Sequence, residues 1–436
     1  MGRMSVESMI WSHYGKTVMI LLVITVILQA YHMTKLMKLH ERNKEETETG
    51  ESLHKKHIRE VNAGDRFTGQ RMIKRVSLLE YVEQIEKAHL MDSSGTYMII
   101  ENVVTPVSDD SNETLSLCSQ TTADHLHYLK DLTETWHGPV SVTVFTHGHE
   151  TAFALYSIAY MHTCFEKVQT SVRFHVAYPI SHPPINLKTV INMEMHCDNF
   201  ESLINENNIN YENEIAYPHN VLRNIAVSSA STPYILVIDI DMIPSQDLNE
   251  TFSQFISRQS ISEIKGDKNK VEQTVYVVPA FESQGDHKTF DKQSLLKQWD
   301  FQNVRPFYKN VCWKCQKVTD YDKWRGLPNL PFLDVGYILE WEDPWEPFYI
   351  ARRKDLPPYD GRFKQYGFNR ISQVCELHIA GYQFAVLNNA FLVHRGFKEP
   401  ASFHAKKDAE NSRNRELFRT FKENLKERYP KSTRQC

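Results

Sequence analysis

The stretch YILVIDIDMIPSQDL, Tyr234 to Leu248, is an apolar run that meets two aspartates, Asp239 and Asp241, and leaves through Pro244. It reads as a buried β-strand. Residues i and i+2 of a strand share a face, roughly 6 to 7 Å apart along the chain. Two carboxylates held that way repel each other unless a cation lies beside them. A hard divalent ion takes oxygen ligands and also neutralises a diphosphate, so Asp-x-Asp behind an apolar strand points to a metal-bound nucleotide.

Outward from this strand the chain alternates. TYMIIENVV, PVSVTVF, VRFHVAY and TVYVVPAFE read as strands. TADHLHYLKDLTETW places Leu126, Leu129, Leu132 and Trp136 on one helical face, and NVLRNIAVSSA is a second helix. Strands separated by helices predict an α/β fold, a mixed, mostly parallel sheet flanked by helices. In such sheets ligands sit beyond the carboxyl ends of the strands, where Asp239 and Asp241 fall. FAVLNNAFLVHRGFK, Phe384 to Lys398, reads as another strand ending in polar groups. His394 offers an imidazole to the same metal, and Lys398 an ammonium to phosphate oxygens. A mixed carboxylate and imidazole shell favours manganese over magnesium or calcium.

The 436 residues are 41% hydrophobic and 24% charged, which suits a sizeable core with tails. The net charge of -4, with no basic block, argues against nucleic-acid binding. The uncharged stretch TVMILLVITVILQAY, Thr17 to Tyr31, is followed by a polar, charged run. We expect a cytoplasmic tail over 1–16, a signal-anchor span over 17–36 rather than a cleaved signal, a stem over 37–95 and a lumenal domain over 96–436. Flanking charges lean against that orientation, because Lys35, Lys38, Arg42 and Lys44 follow the span. The sequons at Asn112 and Asn249 lean toward it, as glycosylation sites. Within RVSLLEYVEQIEKAHL, residues 75 to 90, an amphipathic helix is expected. Of seven cysteines, Cys312 and Cys315 have metal-site spacing, but no second pair lies nearby, so a disulfide is expected. The C-terminal run predicts a charged helix with Leu417, Phe418, Phe421 and Leu425 facing inward.

The blocks LHYLKDLTETWHGPVSVTVF, YPHNVLRNIAVSSASTPYILVIDIDMIPS and PFYIARRKDLPPYDGRFKQYGFNRISQVCELHIAGYQFAVLNNAFLVHRGFK carry a family likeness. From about Tyr97 to Lys398 the sequence resembles glycosyltransferase family 49. The resemblance implies a GT-A fold, a type II Golgi membrane protein, a UDP-sugar donor and Mn2+ or Mg2+. It implies that Asp239, Asp241 and His394 hold the metal, and that Asp239, Arg223 and Lys398 contact the sugar nucleotide. It further implies UDP-glucuronate as donor and a β-xylose end of an O-mannosyl glycan on a glycoprotein as acceptor. Alternatives are transfer of N-acetylglucosamine or xylose, or a silent lumenal glycan-binding protein. A homodimer or a complex with another glycosyltransferase is a further expectation.

An inverting displacement needs a base, and Glu376, ahead of Asp360, is the expected one. Arg352, Arg353, Arg362 and Arg370 are candidate cations for a glucuronate carboxylate. Trp341, Trp345, Tyr349 and Tyr366 are candidate sugar platforms, although aromatics this dense are more often core.

Overall fold

The computed structural model describes residues 73–88, 90–107, 113–197, 215–263, 273–285 and 291–436. The anchor span 17–36, most of the stem and the sequon asparagine Asn112 lie outside them. No helix among the described residues is long and apolar enough to cross a membrane. The compact unit begins at Met72, earlier than the expected boundary at 96. A strand at Ile73–Ser77 and a helix at Leu79–Glu86, with Val82 and Ile85 buried, belong to the fold rather than to a stem.

Sixteen strands occur among the described residues. In chain order they are β1 (Ile73–Ser77), β2 (Leu90–Met91), β3 (Tyr97–Val104), β4 (Leu115–Thr122), β5 (Val140–Phe145), β6 (Val172–Pro179), β7 (Asn192–His196) and β8 (Tyr234–Val237). They continue with β9 (Met242–Pro244), β10 (Thr274–Val278), β11 (Ala280–Ser283), β12 (Val304–Pro306), β13 (Asp334–Leu339), β14 (Phe348–Arg352), β15 (Gln383–Asn388) and β16 (Leu392–Arg395). Ten of them form one sheet in the order β13-β15-β10-β14-β8-β4-β5-β6-β3-β2. A four-stranded sheet runs β12-β11-β16-β9, and β1 pairs with β7.

The large sheet is mixed, as expected, but it is not mostly parallel: five of its nine neighbouring pairs are antiparallel. β8, β4, β5 and β6 form a parallel run, and β10 lies parallel to β15. The remaining neighbours are antiparallel: β14 is inserted between β10 and β8 in the opposite sense, and β13, β3 and β2 add antiparallel strands at the edges. The central strands are buried on both faces. Along β8, Leu236 joins one core while Ile235 and Val237 join another. Along β10, Tyr276 and Val278 enter the first core, whereas Val275 and Val277 enter a third. Alternation here sorts side chains between two buried faces, as expected for a sheet covered on both sides.

Three segments read as single strands are each broken in two. β8 and β9, β10 and β11, and β15 and β16 each leave the ten-stranded sheet and re-enter the four-stranded one. The break falls at Ile238–Asp241, at Pro279, and at Asn389–Phe391, where Asn389 adopts φ 64°. Proline has no N–H to donate to a ladder, which accounts for the second break. The small sheet formed this way caps the carboxyl end of the large one.

The disulfides are Cys164–Cys197, Cys312–Cys315 and Cys375–Cys436, and Cys118 is a buried free thiol. The C-terminal helix Lys407–Arg428 buries Phe418, Phe421 and Leu425, with Leu417 partly buried beside them.

Candidate active site

A cavity of about 800 Å³ opens beyond the carboxyl ends of the parallel strands. The turn after β8 delivers Asp239 and Asp241 to it, and β16 delivers His394. Met242 N–H donates to Asp239 O at 3.0 Å, so the chain turns between the two aspartates instead of continuing as a strand. Their carboxylates therefore diverge, which corrects the same-face expectation.

Asp241 goes to His394. β9 and β16 pair antiparallel with His394 opposite Met242, so the imidazole lies next to the residue preceding β9. His394 Nε2 is 2.9 Å from Asp241 Oδ2, and Lys398 Nζ is 3.6 Å from the same oxygen. Nδ1 of His394 lies 2.9 Å from Gly396 O. A carbonyl can only accept, so Nδ1 carries the hydrogen and Nε2 is the nitrogen presented to Asp241. Burial works against ionisation of Asp241, but His394 and Lys398 hold its carboxyl below the usual range.

Asp239 goes to two arginines. Arg223 Nη2 donates to Oδ1 at 3.0 Å and Arg370 Nη1 to Oδ2 at 2.7 Å. Both guanidiniums are almost enclosed, on helices His219–Ser228 and Asn369–Ile379. Burial again opposes ionisation, and the two guanidiniums outweigh it, holding the Asp239 carboxyl far below the ordinary carboxylate range. Among the described residues, no three His, Cys, Asp or Glu side chains gather as a metal cage. The expected triad is thus a pair, Asp241 with His394, and Asp239 faces the arginines. A carboxylate oxygen and an imidazole nitrogen turned toward each other at 2.9 Å fit a shared divalent ion whose other positions are open to substrate oxygens.

The two expected bases are elsewhere. Glu376 is 1% exposed, and its Oε1 accepts from Arg428 Nη1 and from the Tyr429 hydroxyl. Asp360 is clasped by the Arg362 guanidinium. Neither is among the residues that line the cavity. The physical reason is helical phase: Arg370 begins the helix facing the cavity, and Glu376 lies on the side packed against the C-terminal segment.

Of the candidate arginines, Arg370 lines the cavity, while Arg353 is spent on backbone carbonyls of Thr232 and Ser228. The Nε of Arg370 has no partner among the described residues. Of the candidate platforms, Tyr366 lines the cavity. Trp345 and Tyr349 are core, and Trp341 stacks on His378. Asn249 is not a credible glycan acceptor in this fold. It is 4% exposed, and its Nδ2, the atom a glycan would occupy, donates to His137 O at 2.7 Å.

Sequence reading missed several cavity residues. Tyr308, at φ 56°, is stacked on Phe307, and its N–H donates to the buried Glu282. His125 bonds Asp124 at 3.0 Å; burial opposes its protonation, and the Asp124 carboxylate nevertheless raises its pKa. Glu346, just before β14, is sheltered in the cavity wall, and burial pushes its carboxyl up to about 7. The W-E-P-F context of Glu346 is the one local signal that could have drawn notice, since prolines bracket it at 344 and 347.

The profile of a family described as glycosyl-transferase for dystroglycan matches residues 114–430. Beta-1,4-glucuronyltransferase 1 of Danio rerio is 37% identical over 97% of this chain and 98% of its own length. The Homo sapiens protein of the same name is 37% identical over 80% of this chain and 83% of its own. The Homo sapiens xylosyl- and glucuronyltransferase LARGE1 is 27% identical over 74% of this chain and 36% of its own length.

Proposed function

The chain belongs to the family of glycosyltransferases for dystroglycan, and from that premise we propose that it moves glucuronate from UDP-glucuronate onto a β-xylose-ended glycan, inverting the anomeric carbon. The donor sugar is supported by the names of the relatives, both glucuronyltransferases. The observation that carries the reading is one cavity in which Asp241, His394 and Lys398 stand beside the Asp239–Arg223–Arg370 cluster.

The first group suits the donor diphosphate. Lys398 sets an ammonium near the oxygens where negative charge accumulates as UDP departs. Asp241 and His394 would hold a divalent ion, which when bound supplies Lewis-acid stabilisation of that same charge. The second group suits the sugar. Arg370 lines the cavity and keeps a buried Nε–H without a partner among the described residues, so its guanidinium has donor capacity left for the glucuronate carboxylate. Asp239, pinned by both guanidiniums, stays ionised and can accept from a ribose hydroxyl. Tyr366 and Tyr308 provide ring faces for the acceptor sugar. Holding the acceptor hydroxyl in line with the breaking bond converts a bimolecular step into a unimolecular one.

A GT-A architecture, a Golgi membrane location and a lumenal catalytic domain complete the proposal. Three disulfides among the described residues support an oxidising compartment. The test is a panel of UDP-sugars against β-xyloside acceptors, with manganese and with chelator. Glucuronate transfer lost on chelation is expected. Turnover of another UDP-sugar in preference, or undiminished turnover in chelator, overturns the corresponding half.

A further inference from the structure

Both acids expected to serve as base lie outside the cavity, so the reaction lacks a proton acceptor until another is found. The cavity holds five carboxylates. Asp239 is engaged by two arginines and Asp241 by His394. Glu410 accepts from Tyr366 N–H and faces His404. Asp408 is exposed at the rim, on the first turn of the last helix. Glu346 is sheltered, and its carboxylate accepts no hydrogen bond from any described residue.

Its backbone is well fixed. Glu346 N–H donates to Cys315 O at 3.0 Å, and Gln316 Nε2 donates to Glu346 O at 3.2 Å. Trp345 on one side is fully buried, and Pro347 on the other leads into β14. The antiparallel register of β14 with β8 sets Ile350 opposite Leu236 and Arg352 opposite Tyr234. Glu346 lies two residues before β14, and the turn carrying Asp239 and Asp241 follows β8, so both neighbouring strands deliver their acids to the same cavity. The charged and titratable groups that face Glu346 are Arg370 and Arg223 from two helices, Asp239 from the turn after β8, and Tyr308 and Tyr366 from loops.

The geometry points to Glu346 as the catalytic base of the transfer, taking the proton of the attacking acceptor hydroxyl. This rests on glycosyl transfer in this cavity, and not on which sugar is moved. The acceptor oxygen forms its bond to the anomeric carbon as its O–H bond breaks, and the proton passes to a Glu346 carboxylate oxygen. The bond from the anomeric carbon to UDP breaks, and its electron pair stays on the β-phosphate oxygen. Glu346 then releases the proton to water, leaving product, UDP and a carboxylate ready for the next cycle. Burial supplies the right basicity: it lifts the carboxyl to about 7, opposed by Arg370 and Arg223 and assisted by Asp239. A base with a pKa near the working pH combines availability with driving force. Tyr308 and Tyr366, which face Glu346, are themselves pushed upward by burial and stay protonated.

The test compares the full chain with Glu346→Gln and Glu346→Asp, using whichever UDP-sugar the wild type turns over. Failure of glucuronate alone therefore counts against the donor assignment and leaves this comparison intact. Glu346→Gln is expected to lower kcat by about 100- to 10,000-fold while UDP affinity, read by calorimetry, stays within about 3-fold. Glu346→Asp is expected to recover part of the loss. The wild-type kcat/KM is expected to rise with pH through about 7. A Gln variant that keeps more than about a tenth of kcat overturns the assignment. If that variant fails to bind UDP, the wild-type profile decides, and a flat kcat/KM from about pH 5.5 to 8.5 overturns it as well.

Discussion

Replacing Asp239 by Asn removes the charge that joins two helices at the cavity floor, and the cost can be worked from the structure. Asp239 accepts one guanidinium bond at 3.0 Å and another at 2.7 Å. A hydrogen bond to a charged group contributes about 1.5–3 kcal/mol. Asparagine keeps one neutral acceptor oxygen and presents an amide where the second guanidinium donates, so one bond is lost and the other weakened. With the side chain 29% exposed to the cavity, water offsets part of the loss, and about 2–3 kcal/mol remains. For a unit running from Met72 to Cys436, an unfolding entropy of about 0.8 kcal/mol/K makes this a melting-point drop of roughly 3 to 4 °C. The pH dependence gives a second reading. The folded-state pKa of Asp239 lies below its unfolded value, so its stabilisation is complete above the unfolded pKa of about 3.9. It is lost as pH falls toward the folded value. Calorimetric melts of the two proteins should therefore differ by a constant amount from pH 7 to about 5 and converge below about 4. Equal melting points at pH 7, or a gap that persists unchanged in acid, refute the account of Asp239 as a clamped, ionised carboxylate.

Alanine in place of Asp241 or His394 should reduce turnover at least about 100-fold with little change in melting point, and should weaken manganese binding measured by calorimetry. Glu376→Gln should behave in the opposite way: kcat within about 3-fold of wild type, but a measurable loss of stability, because a buried acceptor for Arg428 and Tyr429 is altered. A side chain at Gly138 would bring its Cβ within 2.2 Å of Asn249 Nδ2. Gly138→Ala should cost about 1–3 kcal/mol in denaturant melts, and Asn249→Ala in the same chain should return part of it. Peptide mapping of protein made in a secretory host should find no glycan on Asn249; an occupied site means that residue is not packed as described.

Much of the fold was readable because its causes are local. The β-branched run at Val140–Phe145 and the alternating Val, Phe, Val and Tyr of Val172–Pro179 declare strands, and the spacing of Leu126, Leu129, Leu132 and Trp136 brings all four into the core. The sheet's sense was misjudged because β14 comes late in the chain and inserts antiparallel between β10 and β8, a choice no local pattern records. Asp239, Asp241, His394, Lys398, Arg223 and Arg370 were all named from sequence, and all reach one cavity. Glu346 was passed over because a lone glutamate between prolines carries no periodicity. Its sheltering comes from Arg370, Tyr308 and Tyr366, which arrive from distant segments.

From residue order alone came the apolar strand that ends in two acids, the helices that cover it, and the chemical types gathered at its lip. These follow from side-chain character and short-range spacing, which act within a few residues. What each acid faces was decided by tertiary pairing. The antiparallel match of Met242 with His394 gives Asp241 its imidazole, and two helices converging from 147 positions apart, Arg223 and Arg370, capture Asp239. Charge and hydrogen-bond partners depend on distances of about 3 Å, and such distances between remote segments exist only once the chain has folded.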